Sequence, residues 1–96
     1  MPRYMIIEAR SRDALPQVYR ELVIKTRGIA GINWDSNRCY ALPMFIYANR
    51  IVVKVPTNCI KWFRAAMISI DYAITIRVTG TAKKAKAQAL SIPNIF

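Results

Sequence analysis

The stretch that decides the fold is residues 44–55, which reads MFIYANRIVVKV. Two runs rich in β-branched, aromatic and other apolar residues, 44–47 and 51–55, flank the short segment Ala48-Asn49-Arg50. Such residues favour extended backbone, and a short segment between two such runs is typical of a hairpin. We therefore predict two antiparallel strands here, and the other elements are assigned outward from them.

The chain before the hairpin predicts one strand and one helix. Residues 3–9 contain the apolar run Met5-Ile6-Ile7, which is typical of a strand. A helix is expected to start around Ser11-Arg12-Asp13, because apolar residues then recur on one face. Those residues are Leu15, Val18, Tyr19, Leu22 and Val23. Gly28 is predicted to cap the end of this helix, and Gly31 to mark a second turn.

The chain after the hairpin predicts a helix, a strand and a last helix. Thr57 or Asn58 is expected to cap the first of these helices. Its apolar face carries Ile60, Phe63, Met67 and Ile70. Residues 72–78 alternate apolar with polar side chains, as a strand does. Thr81 is expected to cap an alanine-rich helix, which Pro93 stops.

The predicted order is strand, helix, strand, strand, helix, strand, helix. This order is that of an α+β protein with a ferredoxin-like split βαβ sandwich, an antiparallel sheet and an added C-terminal helix. A chain of 96 residues is one domain by length. We expect a single ferredoxin-like domain over residues 1–92 and a short C-terminal tail over 93–96.

Charge is the strongest global feature of the sequence. Fifteen Lys and Arg face five Asp and Glu, which gives a net charge of +10. Residues 49–96 hold eight of the basic groups and one acidic group. Such a field favours a polyanionic partner, which is a nucleic acid, an anionic membrane or an acidic protein. The alternative is that the charge serves solubility alone.

The residue types argue against catalysis by this chain. Histidine, the usual general base near neutral pH, is absent from the sequence. The five carboxylates are scattered along the chain, with no two of them within four positions. We therefore expect no catalytic residue, no metal site and no cofactor bound by this chain, although a fold that gathers two carboxylates stays an alternative.

The expected location is the cytoplasm, without a membrane partner. No apolar run approaches the roughly 20 residues that span a bilayer, and the N-terminus does not read as a secretory signal. Because the cytosol is reducing, Cys39 and Cys59 are expected to be free thiols, although a disulfide stays an alternative.

Since catalysis and metal binding are not expected, the function that the residue types still support is anion binding. Residues 79–86 are the strongest candidate for an anion site. A helix that begins at Thr81 leaves backbone N–H groups that attract anions. Hydroxyls, a small residue and three cations surround this start, namely Thr79, Gly80, Lys83, Lys84 and Lys86. We predict that this 79–86 junction binds RNA phosphates, with Arg50, Lys54 and Arg77 extending the track. The alternative is a well-capped surface helix with solvated lysines.

Aromatic and apolar side chains offer a second kind of contact. Base stacking on the predicted third strand is not expected, since residues 51–55 are aliphatic apart from Lys54. Phe63 is assigned to core packing or to a protein interface. Tyr19 and Leu22 are assigned to the core or to a protein docking face, and the sequence does not separate these alternatives.

Four stretches together carry a resemblance to a known family. They are Arg3-Tyr4-Met5-Ile6-Ile7, the glycines Gly28 and Gly31, residues 51–55 with the following Phe63-Arg64-Ala65-Ala66-Met67, and Arg77-Val78-Thr79-Gly80-Thr81-Ala82-Lys83-Lys84-Ala85. In this order they resemble the small ferredoxin-like subunit of archaeal and eukaryotic ribonuclease P, protein component 2 of the archaeal enzyme. Thr79 stands where that family has a serine, so the hydroxyl is kept.

The resemblance implies a non-catalytic subunit of a ribonucleoprotein endoribonuclease. Members of the family bind and stabilise the catalytic RNA, which removes the 5′ leader from precursor tRNA with Mg²⁺ held by the RNA. It also implies a TIM-barrel partner, ribonuclease P protein component 3, and a two-plus-two assembly with it. The alternatives are a different basic RNA- or DNA-binding module of the same fold, ribosome-associated or architectural, an independent small nuclease, and an interaction protein.

Overall fold

The helices and strands of the described residues follow the predicted order. A computed structural model describes residues 2–35 and 37–96. Met1, with which the predicted domain begins, lies outside the described residues. The strands are β1 Pro2–Ala9, β2 Leu42–Tyr47, β3 Arg50–Pro56 and β4 Ala73–Thr79, and the α-helices are α1 Leu15–Ala30, α2 Ile60–Ile68 and α3 Ala82–Ser91.

The four strands form one antiparallel sheet in the order β2-β3-β1-β4. β1 and β3 therefore lie in the middle of the sheet, and β2 and β4 are its edges. The α+β class, the antiparallel sheet and the C-terminal helix are confirmed.

The β2–β3 hairpin forms where residues 44–55 predict it. Tyr47 pairs with Arg50, so the connection is the two residues Ala48 and Asn49. Ala48 adopts a left-handed φ of 52°, as two-residue hairpin connections require. The Asn49 side-chain amide donates to the carbonyl oxygen of Ala9 at 2.7 Å, and the Ala9 N–H donates to the Asn49 carbonyl oxygen at 2.9 Å. The hairpin turn is thereby fastened to the end of β1.

The main core lies between one face of the sheet and the helices α1 and α2. Odd-numbered positions of the central strands, such as Met5 and Val53, point to this face and are fully buried. Leu22 of α1 and Phe63 of α2 pack against them and are also fully buried. For both residues the sequence left core packing and a partner contact as alternatives, and the structure places them in the core.

The opposite face of the sheet is covered by α3. Ala85 and Ala89 of this helix are fully buried against Ile6 and Val52, and Phe45 flanks them. Since alanine side chains are short, the helix backbone lies close to the strands. The sheet is therefore enclosed by helices on both faces.

Two predicted element ends are wrong. Gly28 lies inside α1, which continues to Ala30 and is capped by Gly31, with a φ of 57°. A short 3-10 turn, Thr57–Cys59, precedes α2, so the predicted cap at Thr57 or Asn58 places the helix start too early. The end of α3 is as predicted, because the helix ends at Ser91 and Ile92, the residue before Pro93, has extended backbone.

The free-thiol prediction is also wrong, because Cys39 and Cys59 form a disulfide with Cα atoms 5.7 Å apart. The bond links the α1–β2 connection to the start of α2, and both residues are buried in the main core. A separation of twenty residues in sequence does not reveal this proximity, because only the packing of α2 on the sheet creates it.

Candidate nucleic-acid interface

The 79–86 junction begins with a capped helix, as the sequence predicts. Thr81 is the N-cap of α3, with extended backbone, and its Oγ1 accepts a hydrogen bond from the N–H of Lys84 at 3.2 Å. The Thr79 hydroxyl donates to the carbonyl oxygen of Thr81 at 3.1 Å, and Thr79 is buried. The hydroxyl of Thr79 therefore holds the turn, while that of Thr81 satisfies one helix N–H.

The centre of the junction is open to an approaching group. Gly80 is exposed, and a Cβ placed on it would meet no heavy atom within 4 Å. The remaining N–H groups of the first helical turn have no acceptor inside a helix and carry its positive dipole end. The backbone here suits an anion.

The three lysines of the junction are exposed. Lys83 and Lys84 stand in the first turn of α3, and Lys86 follows about half a turn later. The Lys86 Nζ lies 5.0 Å from the ring centroid of Phe45, which orders this side chain on the sheet without neutralising it. The junction therefore presents three positive charges around one helix N-terminus.

The structure removes Arg50 from this surface. Arg50 is 3% exposed, and its Nε and Nη2 donate to Glu8 Oε1 at 3.0 and 2.9 Å. Its other hydrogen bonds reach the carbonyl oxygens of Ala89 and Pro93 at 2.9 and 2.8 Å. Because the guanidinium is buried and occupied, Arg50 holds the C-terminal segment instead of facing RNA, and we leave it out of the proposed interface.

The sequence reasoning missed Glu8, the buried carboxylate that binds both Arg50 and the C-terminal segment. Its Oε2 accepts the N–H groups of Ile95 and Phe96, both at 2.8 Å. Burial by itself raises the pKa of Glu8, but these two hydrogen bonds and the Arg50 guanidinium outweigh burial, so that the pKa lies below its ordinary value of 4.5. The sequence did contain a signal for this pair, because the charged residue Glu8 directly follows Ile7 in an apolar strand. A charge buried in such a strand needs a partner of opposite charge.

The other two predicted cations lie on the sheet. Lys54 is half-buried on the face of β3 that α3 covers, and it pairs across to Tyr4 of β1. Arg77 is exposed on the edge strand β4, two residues before Thr79. Arg77 lies next to the junction because the two are adjacent in the chain. Lys54 is distant in sequence, and it lies on the same side of the molecule as the junction because α3 packs on that face of the sheet.

Most of the positive charge has no acidic partner inside the molecule. Within residues 2–35 and 37–96, ion pairs join Arg50 to Glu8 and Arg38 to Asp35. The other thirteen of the fifteen basic side chains have no carboxylate within 4 Å in this part of the chain. The charge is therefore available to an external anion.

Tyr19 is the one predicted partner contact that reaches the surface. Its hydroxyl donates to the carbonyl oxygen of Ala41 at 2.6 Å, and its ring is half-buried. The ring lines an apolar groove of about 300 Å³ between α1 and β2, together with Pro16 and Ile46. Tyr19 therefore belongs to a groove wall that a protein partner can contact.

The described residues show neither a metal cluster nor a spanning helix. They contain no group of three or more His, Cys, Asp or Glu that could hold a metal ion. None of the helices in the described ranges is long and apolar enough to cross a bilayer. No model of a known protein family matches the chain, and no curated protein matches its sequence.

Proposed function

We propose that the chain is the small, non-catalytic protein subunit of ribonuclease P, which binds the catalytic RNA in the cytoplasm and stabilises its active form. The observation that carries the proposal is the 79–86 junction, where exposed lysines without acidic partners surround a helix N-terminus. The family resemblance supplies the identity of the RNA, and the charge supplies the physical reason for binding.

The fold supports the same proposal. We assign the domain to the ferredoxin-like split βαβ class, since the two helices α1 and α2 pack on one face of a sheet ordered β2-β3-β1-β4. The helix α3 is the addition to this class, and it carries the lysines of the junction. A split βαβ sandwich is the fold that the resemblance implies.

The mechanism that we propose is electrostatic. Phosphates repel one another where RNA helices meet, and a rigid cationic surface lowers the free energy of holding them together. Lys83, Lys84 and Lys86 contribute charge, and the N–H groups beside Gly80 contribute oriented hydrogen-bond donors. The RNA carries the cleavage of the precursor-tRNA 5′ leader and holds the Mg²⁺. The chain works with the TIM-barrel subunit, protein component 3, in a two-plus-two assembly.

Reconstitution tests the proposal directly. Precursor-tRNA cleavage is measured with an archaeal ribonuclease P RNA and its TIM-barrel subunit, with and without this chain. We expect the chain to raise the cleavage rate at limiting Mg²⁺, since it replaces cations that otherwise hold the RNA together. An unchanged rate at every Mg²⁺ concentration contradicts the proposal.

The junction lysines are tested by Lys83→Ala with Lys84→Ala. We expect weaker RNA binding and a salt slope lower by about 1.4 to 1.8, since each phosphate contact contributes about 0.7 to 0.9. Fluorescence anisotropy over a range of salt concentrations measures both quantities. Alanine is a strong helix former, so the substitutions preserve α3. The control is Arg12→Ala with Arg20→Ala, which also removes two positive charges. Equal effects of the two pairs exclude a specific role for the junction.

A different basic RNA- or DNA-binding module is the second candidate, because contacts to phosphate carry no sequence information and are open to either nucleic acid. Competition between duplex DNA and the folded RNA separates the two. Preference for the DNA favours an architectural module, and preference for the RNA favours the proposed subunit.

A further inference from the structure

A second basic concavity lies at the outer edge of the sheet. It is a cleft of about 300 Å³ between α2 and β4, called here the β4 cleft. Its lining consists of Arg64, Thr75, Ile76, Arg77 and Val78. Arg64 is in the middle of α2, so the cleft lies between two consecutive elements of the chain.

Two guanidinium groups provide the charge of the β4 cleft. Arg64 and Arg77 are both exposed, and neither has a carboxylate within 4 Å in the part of the chain that the structure describes. Asp71 lines the neighbouring cavity, which Arg64 and Thr75 also line, and among the described residues Asp71 makes no ion pair with Arg64. The cleft is therefore a site of net positive charge.

Thr75 contributes a polar atom that needs a partner. Its Oγ1 is buried and has no hydrogen-bond partner among the described residues. Buried hydroxyls in folded proteins are nearly always paired, because an unpaired one loses its hydrogen bonds to water without replacement. Thr75 therefore leaves an unpaired hydroxyl beside the β4 cleft.

The backbone of β4 is irregular at the same point. Ile6 pairs with Arg77 and Ile7 pairs with Thr75, so Ile76 is an extra residue in β4. Such bulges are over-represented at sheet edges and next to active sites, where they re-aim a side chain. Thr75 and Arg77 stand on either side of the extra residue, and both line the β4 cleft.

We propose that Arg64, Thr75 and Arg77 form a second site for a phosphodiester of the RNA backbone; this inference rests on the proposed function. A guanidinium presents paired N–H donors that match two phosphate oxygens, and the threonine hydroxyl donates to a third. Arg77 lies two residues, or about 7 Å, from Thr79 along β4. The RNA backbone therefore runs from the β4 cleft to the 79–86 junction.

The matched comparison is Arg64→Gln with Arg77→Gln against Arg12→Gln with Arg20→Gln. Arg12 lies at the opposite edge, beside β2, and both control arginines are exposed, so the two variants lose equal charge. The probe is a fluorescent, folded archaeal ribonuclease P RNA. We expect the cleft variant to bind about tenfold more weakly than the control, with a salt slope lower by about 1.4 to 1.8 than that of the wild type.

The outcomes separate this inference from the proposed function. Equal losses in the two double variants overturn the β4 cleft as a site, even while the wild type binds RNA and raises cleavage. A wild type that fails to raise cleavage overturns the proposed function. In that case, saturable shifts of the Arg64 and Arg77 side-chain Nε–Hε resonances on titration with inorganic phosphate still support an anion site, and their absence overturns it.

Substitution of Thr75 separates a role in RNA binding from a purely structural role, because the two roles predict different effects on RNA affinity. Thr75→Val keeps the shape and removes the unpaired hydroxyl, so we expect the free protein to melt at a higher temperature and to bind RNA more weakly. Thr75→Ser is expected to retain RNA binding. Wild-type affinity in Thr75→Val overturns the role of the hydroxyl. Binding of a polypeptide strand along β4 with no competition from RNA overturns the assignment of the cleft to phosphate.

Discussion

At the residue scale, the Glu8–Arg50 pair is the most consequential contact in the molecule. It connects β1, β3, the end of α3 and the C-terminal segment through hydrogen bonds that are all 3.0 Å or shorter. Its members are paired strand neighbours at one end of the sheet. Arg50 donates a hydrogen bond to the carbonyl oxygen of Ala89 in α3, the helix that carries the lysines of the junction. The pair therefore helps to fix the position of those lysines.

Glu8→Gln is expected to lower the free energy of unfolding by about 3–5 kcal/mol, because it leaves the Arg50 charge buried without a counter-charge. Urea denaturation at pH 7 measures the loss. The double variant Glu8→Leu with Arg50→Met is expected to lose much less than the sum of the two single changes, since it leaves no buried charge. Additive losses contradict the view that the two residues act as a pair.

The same pair predicts a pH dependence. Because the folded-state pKa of Glu8 is below its ordinary value, the pair stabilises the protein above about pH 4.5. This contribution is lost as the pH falls through the lower, folded-state pKa. The stability difference between wild type and Glu8→Gln should therefore shrink in that acidic range. A difference that stays constant down to pH 2 contradicts this linkage.

At the element scale, the end of α1 depends on which glycine caps it. Gly31 has the positive φ of a cap, whereas Gly28 lies inside the helix with open space around its missing Cβ. A mid-helix glycine is destabilising relative to alanine by about 0.5–1 kcal/mol, and a non-glycine residue is strained at positive φ. Replacing the two glycines by alanine should therefore change the free energy of unfolding in opposite directions.

We expect Gly28→Ala to stabilise the protein by about 0.5–1 kcal/mol and Gly31→Ala to destabilise it by about 1–2 kcal/mol. Thermal unfolding followed by circular dichroism measures both changes, and each variant is the control for the other. The reversed signs would place the helix end at Gly28, as the sequence pattern alone predicted.

At the scale of the whole molecule, the Cys39–Cys59 disulfide connects two parts of the chain that meet only in the folded state. It closes a loop with a sequence separation of 20 residues. In the chain-entropy model such a loop contributes about 3 kcal/mol. Reduction is therefore expected to lower the free energy of unfolding by that amount, measured by urea denaturation with and without a reductant.

The variant Cys39→Ala with Cys59→Ala serves as the control, since a reductant should not change its stability. The thiol state of the protein purified from its own cell is read by alkylation and mass spectrometry. Two alkylated thiols in the native protein would show that the bond does not form there. Equal stability with and without a reductant would contradict its structural role.

Local sequence patterns were enough for the elements, the hairpin and the Thr81 cap, because strand and helix periodicity and capping depend on neighbours within a few residues. The 79–86 junction was predicted for the same reason, since its residues are contiguous in the chain. The disulfide and the burial of Arg50 against Glu8 join residues far apart in sequence, and the β4 cleft joins residues of two different elements. Only the packing of strands and helices brings such groups together, and burial then decides whether a charge pairs internally or stays available to an anion.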